Sequence, residues 1–172
     1  MRGASLAEWF RQLPAVVRRP IVALQLIVFV WLVFVLVPDA AIDLNEDLGW
    51  PRFESAVARA VGIALIAAGV GVSFHCVSVF ARTGLGTPVP SAPPKHLVER
   101  GLYRRSRHPM YVAYAAILLG VFLYFGHFML LAYLVLYFLI AQAVIVWWEE
   151  PVLRKRFGDA YDDYVRRVRR WL

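Results

Sequence analysis

Residues 97–111 read LVERGLYRRSRHPMY, a basic and aromatic segment set between two long apolar runs. Arg104, Arg105, Arg107 and His108 crowd together just before an apolar helix is due to begin. A charged cluster laid against an apolar helix is either an orientation signal for a membrane or the rim of a site, and the rest of the chain has to decide between them.

The chain has 172 residues, of which 60% are hydrophobic, and a mean hydropathy of +0.59. Soluble domains use roughly 45–50% apolar residues, so this composition points to the membrane. A lone cysteine, Cys76, excludes an intrachain disulfide framework. In a chain this apolar, the net charge of +7 speaks for loops facing anionic lipid and against nucleic acid as a partner.

Outward from the basic segment lie four apolar runs, Ile21–Val37, Ala56–Ala81, Met110–Phe125 and Phe128–Trp148. A span needs roughly 17–25 residues, so the first and third are short and the others comfortable. Basic residues sort by side. Arg2, Arg11, Arg18 and Arg19 precede the first run, and Arg82, Lys95, Arg100, Arg104, Arg105 and Arg107 lie between the second and third. A third basic group, Arg154 to Arg170, follows the fourth run. The connection Pro38–Ser55 is acidic, and Gly126–His127 has no Lys or Arg. The positive-inside rule then predicts an all-α, polytopic protein with four transmembrane helices, both termini and the central loop being cytoplasmic. It reads as a single membrane domain, 1–172. Residues 1–81 carry the first two spans, and residues 82–172 carry the central loop, a helical hairpin and the tail.

Local signals fill in the elements. Leu6, Trp9, Phe10, Leu13 and Val17 repeat at helical spacing and predict a short interfacial helix within residues 1–20. In the second span, Ala60–Ala64–Ala68 and Ala67–Gly71 predict a close-packing face, as Ala116 and Gly120 do in the third. His75 and Cys76 lack further ligands at usable spacing, so no metal site is expected. Residues 82–96 hold two Gly and four Pro and read as a folded loop. Pro109 fits the first position of a helix, where its missing N–H costs nothing. Tyr124–His127 reads as a tight turn joining the third and fourth spans into an antiparallel hairpin.

The fourth span is expected to end in Trp147-Trp148-Glu149-Glu150-Pro151. Two adjacent carboxylates at a helix C-terminus oppose the dipole and need cations, from Arg104–Arg107 or from a ligand. Residues 159–172 predict an amphipathic helix, with Asp162–Arg166 and Asp163–Arg167 as i, i+4 pairs. These parts assemble into a pocket at the bilayer edge, offering both charge signs and aromatic faces, which suits a zwitterionic ligand with a cationic centre.

The segment 97–111, an apolar hairpin and then EEPVLRKRFGDAYDDYVRRV together resemble the isoprenylcysteine carboxyl methyltransferase family. They are also similar to the related phospholipid methyltransferases and their small bacterial members. The resemblance covers about residues 84–172. It implies a membrane methyltransferase of the bacterial inner (plasma) membrane that binds S-adenosyl-L-methionine without a Rossmann domain. S-adenosyl-L-homocysteine would be released as the product, and a lipophilic acceptor would be methylated at the cytoplasmic face.

Carried over by motif, the cofactor-binding residues are Lys95, His96, Leu97, Val98, Tyr103, His108, Pro109, Met110, Tyr111, Glu149 and Glu150. His108 and Glu150 are the candidates to take a proton, and Arg104, Arg107 and Arg154 are the candidates to meet the acceptor. The prenylcysteine enzymes carry an arginine four residues before the glutamate, where this chain has Ile145. The cofactor half of the resemblance is therefore the closer one. A non-catalytic membrane subunit that keeps the scaffold is the alternative reading.

Overall fold

The computed structural model describes residues 14–80, 82 and 96–171, and these residues are mostly helical, with no strand among them. Helix α1 (Ala15–Trp31) runs through a π-helical segment (Leu32–Leu36) straight into α2 (Val37–Asp47). Helix α3 (Ala56–Val79) follows. After a 3₁₀ turn (Gly101–Arg104) comes α4 (Pro109–Phe125), and then α5 (Phe128–Val144). A second π-helical segment (Ile145–Glu149) carries α5 directly into α6 (Glu150–Phe157), and α7 (Asp159–Arg167) lies beyond Gly158. The expected interfacial helix falls mostly on residues outside those described, as does nearly all of the 82–96 loop.

Three stretches are long and apolar enough to cross a membrane, Pro20–Asp47, Ala56–Val79 and Phe128–Phe157. Helix α4 is also apolar but has only 17 residues, or about 26 Å of helix. Apolar side chains face outward along the helices; Phe74 is 74% exposed and Trp147 80%. Only a lipid surround makes so large an apolar surface tolerable.

Two expected helix ends are overturned. Pro38 does not end the first helix, and Pro151 does not end the fourth. Proline breaks a helix by lacking an N–H and by clashing with the carbonyl four residues earlier. Those carbonyls belong to Phe34 and Trp147, and each lies in a π-helical segment, whose wider i→i+5 turn relieves the clash. The supposed acidic connection is thus partly helix, with Pro38, Ala41 and Asn45 on its buried face. Glu149 and Glu150 sit inside a continuous helix and not at a C-terminus.

Helices α3 and α4 pack antiparallel at backbone contact. A Cβ on Gly62 would lie 2.6 Å from the carbonyl oxygen of Gly120, and one on Gly69 would lie 2.7 Å from that of Ala113. The close-packing face of α3 is therefore Gly62 and Gly69, seven residues apart. The expected Ala60–Ala64–Ala68 and Ala67–Gly71 pairs are exposed. Gly120 takes part as expected.

The α4–α5 hairpin forms as predicted, through Gly126 at φ 76°. A side chain there would run into Phe53 O, whose own N–H donates to Gly126 O at 3.1 Å. Buried Asn45 locks the same end, donating to Trp50 O (2.9 Å) and accepting from Met129 N–H (3.0 Å) in the first turn of α5.

Candidate active site

At the opposite end of the hairpin, the first turn of α4 faces the π-to-α junction of α5 and α6. His108 caps α4, as expected from the Arg107-His108-Pro109 sequence. Its carbonyl accepts from Tyr111 N–H at 3.1 Å, and its own N–H donates to Ser106 Oγ at 3.2 Å. The imidazole is buried and lies between the two carboxylates, with Nδ1 3.5 Å from Glu149 Oε1 and Nε2 3.8 Å from Glu150 Oε1. A π-helical segment ends at Glu149, and such segments recur at functional sites.

The two carboxylates differ in what they already hold. Glu150 is buried and accepts from Arg107 Nη1 (2.9 Å), Arg170 Nε (2.8 Å) and Arg170 Nη2 (3.0 Å). Glu149 accepts from the Tyr111 hydroxyl at 2.9 Å, and about a third of its side chain remains exposed. Both arginines are engaged on Glu150, and Glu149 keeps acceptor capacity to spare.

The tail completes the enclosure. Helix α7 stops at Arg167, and Val168 turns extended (φ −123°, ψ 131°), where a helix to the end of the chain is expected from the sequence. Residues 168–171 form a strap instead. Arg107 N–H donates to Arg169 O (2.9 Å), and Ser106 Oγ–H donates to Arg170 O (3.3 Å). The expected i, i+4 pairs give way to other partners. Asp162 pairs with Arg154 (2.8 Å), Arg167 with Glu99 (3.0 Å), and Asp163 with Arg166. Buried Tyr161 and Tyr164 dock α7, the Tyr164 hydroxyl donating to Tyr103 O at 2.7 Å. Burial pushes the Tyr103 and Tyr164 phenols above their ordinary range.

The sequence-nominated residues separate into groups. His108, Tyr111, Glu149, Glu150 and Arg107 converge on one cluster. Val98, Tyr103 and Met110 pack with Cys76 in the core behind it, and Pro109 is buried beside them. Leu97 packs against the Tyr161–Tyr164 face of α7. His96 and Arg104 are exposed, and Arg104 makes no ion pair with a described residue. Lys95 lies outside the described residues.

Sequence reasoning missed Arg170, Ser106, Trp171 and Tyr137, whose hydroxyl donates to Tyr111 O at 3.2 Å. The demand of a carboxylate pair for cations was the one available signal for Arg170.

Beside the polar cluster runs an apolar groove of about 360 Å³ between α4 and α5. Tyr111, Ala115, Phe138 and Ala141 line it, with Trp171 from the strap.

A family model described as phospholipid methyltransferase matches residues 57–160, more than half of the chain. The chain belongs to the phospholipid methyltransferase family. The match takes in α3, the basic segment, the hairpin and both glutamates, and it ends before Arg170 and Trp171. The family is one of membrane methyltransferases, in keeping with the apolar helices and with the resemblance noted from the sequence. Searches of curated proteins and of solved structures returned no match.

Proposed function

We propose that this phospholipid methyltransferase family member transfers the methyl group of S-adenosyl-L-methionine to a lipid acceptor, with the cluster of His108, Tyr111 and Glu149 as its donor site. The observation that carries the reading is the unequal state of the two carboxylates. Glu150 is consumed by two arginines, while Glu149 is held in place by a single phenol and stays partly open. An open carboxylate beside aromatic rings fits a ligand with an amine and a sulfonium, by charge and by cation–π attraction. When bound, the cofactor supplies an electrophilic methyl on a cationic sulfur.

The protein's own part is positioning and water exclusion. Tyr111 and His108 fix the Glu149 carboxylate, and Arg107 and Arg170 fix Glu150 so that the helix junction cannot turn. With an amine acceptor, His108 is the group placed to hold the departing proton, since the Glu150 oxygens already accept from arginine. The groove along Tyr111 and Phe138 suits the apolar chain of an acceptor that stays in the bilayer.

Four membrane crossings, with this site at the cytoplasmic face, accord with the arrangement. Helix α4 runs antiparallel to α3 and to α5, which belong to the span-length stretches Ala56–Val79 and Phe128–Phe157. The basic residues of the 97–107 segment and of the tail lie on one side. A single domain organised around the hairpin follows from the same arrangement.

The test is transfer of labelled methyl from S-adenosyl-L-methionine to total lipid extract by the protein in vesicles. Labelled lipid is expected from the wild type and not from Glu149→Gln. Absence of transfer together with absence of S-adenosyl-L-homocysteine binding would favour the non-catalytic subunit instead.

A further inference from the structure

The strap at residues 168–171 lies beyond the family match, yet it forms a wall of both the polar cluster and the apolar groove. We propose that Trp171 is a specificity-determining residue for the lipid acceptor, setting how deep its apolar chain can run toward Glu149, and that Arg170 is the positioning residue that holds it there. The proposal rests on the methyltransferase reading above.

The geometry is that of a stop. The indole centroid lies 5.2 Å from the ring of Phe138, on the groove side, and 6.3 Å from the imidazole of His108, on the polar side. Tyr111 touches both compartments, with its ring lining the groove and its hydroxyl on Glu149. A chain lying along Ala115 and Ala141 therefore meets the indole at the point where apolar lining gives way to carboxylate and imidazole. Phe138 is 46% exposed, which leaves the groove accessible from the lipid side.

Trp171 is held from two directions. The strap backbone accepts from Arg107 N–H and Ser106 Oγ–H, and the guanidinium of the neighbouring Arg170 donates to both carboxylate oxygens of Glu150. The same pair that fixes Glu150 thus fixes the register of the indole. A bidentate arginine does this where a lysine, a point charge on a flexible stem, does not.

The occupant is the acyl chain of a bilayer lipid. The groove is apolar over its length, opens toward lipid and leads to Glu149, the carboxylate of the pair with spare capacity. Two measurements test the proposal.

The first reads binding without turnover. Protein retaining Trp171 as its sole tryptophan, the others changed to Phe, is placed in nanodiscs of phosphatidylethanolamine with brominated acyl chains. Quenching of Trp171 fluorescence is expected, and plugging the groove with Ala115→Leu or Ala141→Leu is expected to reduce it at least about two-fold. Quenching indifferent to both plugs would show only surrounding lipid and overturn the assignment.

The second reads selection, with labelled-methyl transfer to total lipid extract and calorimetry with S-adenosyl-L-homocysteine. Trp171→Ala is expected to raise the acceptor KM about ten-fold and broaden the chain lengths of labelled lipid, while the S-adenosyl-L-homocysteine Kd stays within about three-fold. Arg170→Lys is expected to raise the acceptor KM and broaden the chain lengths in the same way. Trp171→Phe is expected to restore most of the wild-type behaviour. A cofactor Kd that weakens in step with the acceptor KM would overturn the specificity role. A wild type that neither binds S-adenosyl-L-homocysteine nor transfers methyl would fail the methyltransferase reading, leaving the quenching result to judge the groove by itself.

Discussion

The guanidinium of Arg170 meets the carboxylate of Glu150 along both edges, Nε to Oε1 at 2.8 Å and Nη2 to Oε2 at 3.0 Å. Arg107 adds a third contact at 2.9 Å, and both the Arg107 and Glu150 side chains are 9% exposed. Removing one partner of such a group strands charge where water does not reach. Arg170 is itself a third exposed, so part of its contribution is screened. Arg170→Gln is expected to cost about 1–2 kcal/mol, and Glu150→Gln more, about 3 kcal/mol, because it leaves two guanidiniums facing each other. Thermal unfolding in detergent checks the order. Equal or negligible losses for both variants would contradict it.

Helix α3 carries its own control. Gly62→Ala drives a methyl to 2.6 Å from Gly120 O, whereas Gly71 has nothing within 4 Å of a built Cβ. The expected loss for Gly62→Ala is about 1–3 kcal/mol, since backbone must move. Gly71→Ala is expected to be neutral or to gain up to about 1 kcal/mol from helix propensity. The same unfolding measurement compares them, and a tolerant Gly62 would argue against the close α3–α4 contact.

Alkaline pH tests the docking of α7. The Tyr164 hydroxyl donates to Tyr103 O, and burial raises its phenol above the ordinary value of 10.0, as it does for Tyr103. Below about pH 10 the folded and unfolded chains both keep these protons, so stability does not depend on them. Above it the unfolded chain ionises first, and stability is lost as pH rises. Phenolate absorbance from these residues is expected to appear together with loss of the helical circular dichroism signal. Tyr164→Phe should flatten the decline. Ionisation near pH 10 with the fold intact would contradict the burial.

Much of this was legible in the residues themselves. The apolar runs, the start at Pro109 and the turn at Gly126 follow from hydropathy and from two residues with narrow backbone demands. His108, Tyr111 and Glu149 stand out by motif resemblance alone, and their convergence is visible only in the fold. Pro38 and Pro151 misled, because each follows a π-helical turn that relieves the clash, and periodicity does not announce such a turn. The strap misled for a different reason. Val168 and Trp171 continue the apolar spacing of α7, so pattern alone extends the helix. Pairing with Ser106–Arg107 and the grip on Glu150 win over that propensity. Arg170 stayed hidden because its partner lies twenty residues back, on another element.

The central claim is that Glu149 is the ligand-facing carboxylate and Glu150 its structural neighbour, and calorimetry with S-adenosyl-L-homocysteine tests it most directly. The wild type is expected to bind. Glu149→Gln is expected to weaken binding at least about thirty-fold, the loss of a charge-assisted contact of about 2 kcal/mol. Tyr111→Phe, which frees the carboxylate from its phenol, should weaken it by several-fold. No binding by a folded wild-type protein, or binding by Glu149→Gln as tight as the wild type's, would contradict the account.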